Sequence, residues 1–109
     1  MGLAYKPDVD DTRESPSFEL IKILEERGSE VEYTDPHIPE TQRVRRHDLK
    51  MKSIELTPEK VAEFDCVLIS TNHSAFDYGL IARHAKLVVD TRDAMREHHD
   101  EMGDRLVLA

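Results

Sequence analysis

The chain has 109 residues, of which 35% are charged, and a formal net charge of −8 at pH 7. This size indicates one domain, and the charge argues against nonspecific binding to nucleic acid or to an anionic membrane. No apolar run reaches the roughly 18 residues of a membrane span. The single cysteine, Cys66, excludes an internal disulfide and fits a reducing cytoplasm.

The first predicted element is a helix that follows a cationic loop. Residues 2–16 carry Lys6 and Arg13 and lead to Ser15 and Pro16, which suit the N-cap and first position of a helix. Gly28 is suited to the left-handed conformation that commonly ends a helix. The helix between them has apolar residues at helical spacing: Phe18, Leu20, Ile21, Ile23 and Leu24. A cation, free N–H groups and a helix N-terminus can converge on a phosphate, so the loop is a candidate anion site.

The rest of the chain alternates between strands and helices. Residues 30–34 have a strand pattern that Asp35 and Pro36 end, and residues 36–56 are a polar surface connection. Thr57 and Pro58 open a second helix, which runs to about Glu63. The remaining predicted elements are a buried strand at residues 65–71, a helix near 77–84, a buried strand at 86–90, a helical segment at 94–101 and a strand at 105–108.

This alternation predicts an α/β fold with a mostly parallel sheet and helices on both faces. Ligands of such sheets bind beyond the carboxyl ends of the strands. That edge would collect residues 5–13, Asp35, residues 71–73 and residues 90–92.

Several side chains have an ordinary structural interpretation beside a functional one. Asp35 is more consistent with a turn than with a ribose contact, because the preceding loop has no dinucleotide-binding fingerprint. Cys66 is expected to be a buried structural thiol. His73 is either a site residue or a hydrogen-bonded loop histidine. The pair at 98–99 lacks a closed metal-ligand set, and no metal site is predicted.

Four stretches, residues 2–16, 33–36, 70–78 and 89–92, together resemble one family in order and spacing. They are similar to the C-terminal domain of the UDP-glucose/GDP-mannose dehydrogenase family, and most similar to the branch acting on UDP-N-acetylated sugars. The first stretch is the most specific. The resemblance implies a Rossmann-like fold and makes residues 1–109 a nucleotide-sugar-binding domain.

Members of that family oxidise C6 of a nucleotide-linked sugar in two NAD-dependent hydride transfers. The resemblance implies that Lys6 reaches the substrate near its diphosphate, with Tyr5 beside it, and that Arg13 faces the NAD cofactor. We add His73 and Arg92 as candidate substrate contacts at the same edge. Nothing here resembles the family's cysteine motif, so no catalytic residue is predicted and the chain alone is expected to be inactive.

Two departures from the family pattern carry consequences. An acidic residue, Asp93, follows Arg92 where the family usually has Asn. The apolar strand that normally precedes Gly2 is also missing, so we expect a truncated first strand and an uncovered central groove. Such a groove favours a homo-oligomer or strand exchange.

Two alternative functions remain open at this point. A signalling receiver domain shares the doubly wound fold, an early acidic pair (Asp10 and Asp11) and a strand-end threonine (Thr71). Its phosphorylated residue would have to be Asp35. The other alternative is a non-catalytic, degenerate fragment without a ligand.

Overall fold

A short parallel sheet organises the second half of the chain. The computed structural model describes residues 1–4, 6–8, 16–41 and 51–109. Its three strands, β1 (Val67–Ile69), β2 (Val88–Asp90) and β3 (Leu106–Leu108), lie in the order β1-β2-β3, and all pairs are parallel. The predicted parallel sheet is confirmed, and each strand is shorter than the sequence pattern indicated.

Two of the helices begin at a side-chain cap, and the first helix ends just before a glycine. Helix α1 (Ser17–Glu26) ends before Gly28, whose φ of +92° is the left-handed conformation expected there. Helix α2 (Pro58–Glu63) begins after Thr57, whose hydroxyl accepts the Lys60 N–H at 3.1 Å. Helix α3 (Tyr78–His84) has Asp77 in the same role. These caps explain why the helix starts at residues 58 and 78 agree with the predictions; the predicted cap Ser15 lies outside the described residues.

One sequence prediction about secondary structure is wrong, and a second, the helical segment at 94–101, is confirmed with an irregular helix and shifted bounds. Residues 30–34 form no strand among the described residues, only an isolated parallel bridge from Tyr33 to Ser53. The segment beginning at residue 94 is a 3-10 turn (Arg96–His98), a four-residue helix α4 (His99–Met102) and a second 3-10 turn (Gly103–Arg105). In both cases too few neighbouring groups support a longer regular element, since strands need ladder partners and helices need an apolar face.

The buried side chains form two hydrophobic clusters. The first cluster, which we call the sheet core, contains residues of strands β1 and β2 and of helices α2 to α4. The α1 core contains Leu3, Ala4, Phe18, Ile21, Tyr33 and Ile38. The chain start lies between them, since Met1 packs on the sheet core and Leu3 belongs to the α1 core.

Residues 1–2 occupy the position of a central strand. The Met1 nitrogen donates to the Leu68 carbonyl at 2.6 Å, and the Ser70 N–H donates to the Met1 carbonyl at 2.9 Å. On the other side, the Gly2 N–H donates to the Thr34 carbonyl at 2.9 Å. The predicted Rossmann-like fold is therefore present. Across the described ranges, no helix is long and apolar enough to cross a membrane.

Candidate functional site

A buried carboxylate organises the carboxyl edge of the sheet. Asp35 is 2% exposed. Its Oδ2 accepts the backbone N–H groups of Leu3 (2.7 Å) and Ala4 (3.2 Å), and its Oδ1 accepts the N–H of His37 (2.8 Å). A buried carboxylate with several donors is a structural hub, so the prediction of a simple turn residue missed its main role.

His73 connects this hub to the cationic loop. The imidazole is 0% exposed, and its Nε2 lies 2.8 Å from Asp35 Oδ2. Its Nδ1 accepts the Asp8 N–H at 2.8 Å. Because a backbone N–H can only donate, Nδ1 is the unprotonated nitrogen and Nε2 carries the proton donated to Asp35. The ring therefore links the buried carboxylate to the loop at residues 6–8.

The side chain of Asp8 forms a second link between the loop and the residue that follows His73. Its φ of +62° is unusual for a residue other than glycine. Its carboxylate accepts the backbone N–H of Ser74 at 2.7 Å and the Ser74 hydroxyl at 2.8 Å. These two hydrogen bonds lower the pKa of Asp8, the backbone one most strongly. Lys6, two residues earlier, is exposed on the loop that is held in this way.

The side chain of Tyr78 also holds the backbone at His73 in place. The Tyr78 hydroxyl, at the start of α3, donates to the His73 carbonyl at 2.7 Å. Burial raises the pKa of Tyr78 to about 12, so this phenol stays protonated and a donor at neutral pH. The rings of His37 and Phe76 pack against His73, with centroids 4.6 Å and 5.5 Å away.

Arg92 lies at the same strand ends. Its Nε donates to the Ser70 carbonyl, just past β1, at 2.9 Å, and the residue is exposed. Asp93, which the sequence placed as an unfavourable charge beside the site, has its Oδ1 3.3 Å from His99 Nε2. Asp93 is therefore directed at His99, and the exposed guanidinium of Arg92 remains suited to an anion.

The structure brings together part of the predicted site. Lys6, His73 and Arg92 all lie at the carboxyl edge, but His73 is buried and Lys6 and Arg92 are exposed. Tyr5 and Arg13 lie outside the described residues. The contacts of all five with substrate or cofactor remain predictions.

Two histidines and a carboxylate lie close enough to suggest a metal site. One ligand atom from each of Asp8, His37 and His73 lies within 4.8 Å of the others. However, both Asp8 oxygens accept from Ser74, and both His73 nitrogens are hydrogen bonded. A metal would have to displace these bonds, so the cluster is better explained as a hydrogen-bond network.

The prediction that Cys66 is buried is wrong. The residue is exposed and precedes β1 at the border of a groove. Partial burial nevertheless raises the pKa of its thiol, which disfavours the reactive thiolate at neutral pH. Nothing in the described part of the chain covers this wall of the groove.

These features define a class of protein: a Rossmann-like α/β domain with a hydrogen-bonded segment at residues 6–8, which bears Lys6, at the carboxyl edge of its sheet. Residues 1–97 match the UDP binding domain of the UDP-glucose/GDP-mannose dehydrogenase family. The chain belongs to that family.

Individual relatives agree with this assignment. The chain is 34% identical over 104 residues to a UDP-N-acetyl-D-mannosamine dehydrogenase of Pyrococcus horikoshii, covering 89% of this chain and 22% of the relative. A dehydrogenase of the same name from Methanococcus maripaludis is 37% identical over 75 residues, which cover 69% of this chain and 16% of that protein. The chain therefore spans about a fifth or less of these relatives.

A solved structure shows the same fold. The structure of the UDP-D-ManNAc dehydrogenase from Pyrococcus horikoshii superimposes with a TM-score of 0.68 at 26% sequence identity, covering 98% of this chain and 23% of that one. None of these comparisons supports a receiver domain. The burial of Asp35, which a receiver would have to phosphorylate, also argues against it.

Proposed function

We propose that the chain binds the UDP part of a nucleotide sugar at the carboxyl edge of its sheet. The observation that carries this proposal is the hydrogen-bonded path from Asp35 through His73 to Asp8, which orders the loop bearing Lys6. A lysine on a backbone that is held in place loses less conformational entropy on binding than one on a free loop. The match to a UDP binding domain over residues 1–97 supports the same ligand.

Each exposed cation has a distinct part in this proposal. Lys6 offers an ammonium group to the diphosphate, and the Arg92 guanidinium offers paired N–H donors to phosphate oxygens or a sugar hydroxyl. The ring of His73 is fully buried, and it supports the site by accepting the Asp8 N–H from beneath the surface. Tyr5 beside Lys6, and Arg13 toward NAD, complete the proposed contacts on the strength of the family resemblance.

The proposal extends to the intact enzyme as a binding role. In an NAD-dependent UDP-sugar 6-dehydrogenase, this domain would fix the nucleotide so that the sugar C6 meets groups supplied by other domains. Such remote contacts contribute orientation to a reaction elsewhere. We therefore expect no NADH absorbance when this chain alone is mixed with NAD and UDP-sugars.

Isothermal titration with UDP tests the binding role. We expect saturable heat, and Lys6→Ala should weaken binding by about 10- to 100-fold, the usual range for loss of a charge-assisted hydrogen bond. Lys86→Ala is the matched control, because Lys86 is also exposed but precedes β2 at the amino end of the strand. No heat at millimolar UDP would indicate a fragment without a ligand, and equal losses in both variants would indicate nonspecific charge attraction.

A further inference from the structure

The imidazole of His73 joins the segment that bears Lys6 to the buried carboxylate beneath it. One ring nitrogen lies 2.8 Å from Asp35 Oδ2, and the other accepts the Asp8 N–H at 2.8 Å. Histidine is the side chain whose charge ordinarily changes between about pH 5 and pH 8. A change in the protonation of this ring therefore acts directly on residues 6–8.

Only the neutral ring of His73 can make both hydrogen bonds. A backbone N–H is a donor, so Nδ1 must present a lone pair to Asp8. A protonated imidazole carries a hydrogen on each nitrogen, and its Nδ1–H would point at the Asp8 N–H across the same 2.8 Å. Because two donors cannot form a hydrogen bond, the ring and the Asp8 backbone must separate. The contact with Asp35 survives, since a carboxylate accepts from Nε2–H in either state.

The protonated ring has a second arrangement within reach. It remains paired with Asp35, whose side chain is 0% exposed like its own, and this pairing offsets part of the cost of a buried charge. An oxygen of the Asp8 carboxylate lies within 4.8 Å of a His73 ring nitrogen. That carboxylate can accept the new Nδ1–H if it turns away from Ser74, whose N–H and hydroxyl it now accepts. Protonation thus exchanges one set of bonds at residue 8 for another.

The backbone conformation of Asp8 depends on the hydrogen bonds that hold it. Its φ of +62° lies in the left-handed region, which a residue other than glycine keeps only where its surroundings stabilise it. The bond from the Asp8 N–H to His73 is the one that fixes the backbone itself. Loss of this bond frees the residue to leave the left-handed conformation, and Lys6 is only two positions away.

We propose that His73 is a pH switch for nucleotide-sugar binding: its neutral form holds the Lys6 segment in the binding conformation, and its protonated form releases it. The proposal rests on the proposed binding function, since it describes the regulation of that same site. Acidification weakens binding, and binding expels a proton from His73, because the two effects are reciprocal.

Two other groups near His73 titrate in the same pH range. The exposed His37 packs its ring against that of His73, with centroids 4.6 Å apart. Burial lowers the pKa of the Met1 amino group, which also interacts with Asp35, to about 6. Neither group is the acceptor of the Asp8 N–H, which is His73. The test must therefore separate three titrations.

Two further groups around the ring keep their charge state. The hydrogen bonds from Ser74, the backbone one first, lower the pKa of Asp8, so its carboxylate is ionised above about pH 5. Burial raises the pKa of Tyr78 to about 12, so the phenol that donates to the His73 carbonyl stays neutral. A response between about pH 5 and pH 8 does not come from either of them.

Isothermal titration with UDP-glucose between about pH 5.5 and about pH 8 tests the switch. UDP-glucose is the probe because both of its phosphates are esterified, whereas a terminal phosphate such as that of UDP gains a proton near pH 6. We expect Kd to rise by about tenfold on acidification, the effect of losing one hydrogen bond. A tenfold change requires the release of about half a proton per binding event at the midpoint. Titrations in buffers of different ionisation enthalpy measure that release.

The imidazole ¹⁵N chemical shifts report the same event at His73 itself. At about pH 8 we expect the form with the proton on Nε2. Saturation with UDP-glucose should move the midpoint of the His73 titration curve down by about one pH unit, the counterpart of the tenfold change in Kd. A histidine with only a structural role would titrate at the same midpoint with and without the ligand.

Three histidine variants separate the groups. His73→Asn keeps His37 and the Met1 amino group, and its affinity should be low and independent of pH. His37→Gln should keep the pH dependence. His84→Gln, in the last turn of α3 and away from the carboxyl edge, is the matched control and should behave like the unmodified chain. If His73→Asn fails to fold, the proton release and the ¹⁵N shifts of the unmodified chain still decide.

The outcomes distinguish this proposal from the proposed function. Binding at about pH 8 that neither weakens with acid nor releases a proton would overturn the switch and leave the binding role intact. No saturable heat at about pH 8 would overturn both. Loss of the pH dependence in His37→Gln, or its persistence in His73→Asn, would assign the response to His37 or to the Met1 amino group and overturn the role of His73. A far-UV circular dichroism spectrum that changes between the two pH values would show acid unfolding and would also overturn the switch.

Discussion

Removal of the Asp35 carboxylate should be the most damaging single change at the carboxyl edge. In Asp35→Ala, the buried N–H groups of Leu3 and Ala4 and the Nε2–H of His73 lose their acceptor. Each unsatisfied buried donor costs about 1–3 kcal/mol, and removal of one partner of a buried pair costs about 3–5 kcal/mol. Because these costs share one site and are not additive, we expect a loss of about 3–5 kcal/mol.

Asp35→Asn should be milder, for a geometric reason. Three donors converge on Oδ2 and one, the His37 N–H, reaches Oδ1. The amide oxygen can keep the three-donor position, and the amide NH₂ then meets the His37 N–H and loses that bond. We expect a loss of about 1–2 kcal/mol, the cost of one hydrogen bond with an unsatisfied donor.

Urea unfolding followed by far-UV circular dichroism measures these losses, since the chain contains no tryptophan. Asp65→Ala, at an exposed acidic residue, is the control and should change stability by no more than about 0.5 kcal/mol. A loss below about 1 kcal/mol for Asp35→Ala, or equal losses for the alanine and asparagine variants, would refute the hub assignment.

Three further outcomes follow from local geometry. Gly2→Ala should lower the free energy of unfolding in urea by about 2–4 kcal/mol, because a Cβ at Gly2 would lie 2.6 Å from Thr71 atoms. Gly28→Ala should lower it by only about 1 kcal/mol, because Gly28 is also at positive φ but has open space around it. Burial raises the pKa of Tyr33 and of Tyr78 from 10.0 to about 12, so stability present below pH 10 should be lost as the pH rises toward 12. Tyr33→Phe should reduce that loss by roughly 2 kcal/mol and leave the part that is due to Tyr78. Ser74→Ala removes the hydroxyl donor and keeps the backbone N–H, so it should raise the pKa of Asp8 only part of the way toward 3.8, measured by NMR titration of the carboxyl carbon. An unchanged value would contradict the assigned hydroxyl hydrogen bond.

Features that depend on residues close together in the sequence were predictable, and features that depend on tertiary contacts were not. The start of α2 at residue 58 follows from Thr57 and Pro58 alone, because capping involves residues three positions apart. The predicted strand at 30–34 failed because a strand depends on neighbours, and among the described residues its backbone pairs only with Gly2 and with residues 53–54.

The same distinction explains the side chains. Cys66 was predicted to be buried from an apolar run, and the open groove exposes it. Asp35 ended a strand pattern before proline, which is typical of a turn. Its burial depends on Leu3, Ala4 and His73, up to 38 residues away, and no local pattern encodes that. The signal that could have found it was the joint presence of Asp35 and His73 at two predicted strand ends.

The placement of Lys6 therefore depends on residues that need not touch the ligand. His73→Asn would remove the ring that accepts the Asp8 N–H and donates to Asp35, while Lys6 remains on the loop. If His73 is a positioning residue, this variant should weaken UDP binding by about tenfold without changing how strongly affinity falls with salt, because no phosphate-facing charge is lost. Lys6→Ala should flatten that salt dependence. Isothermal titrations of both variants over a range of salt concentrations separate the two roles, and a flattened slope for His73→Asn would instead show that the imidazole itself faces the diphosphate.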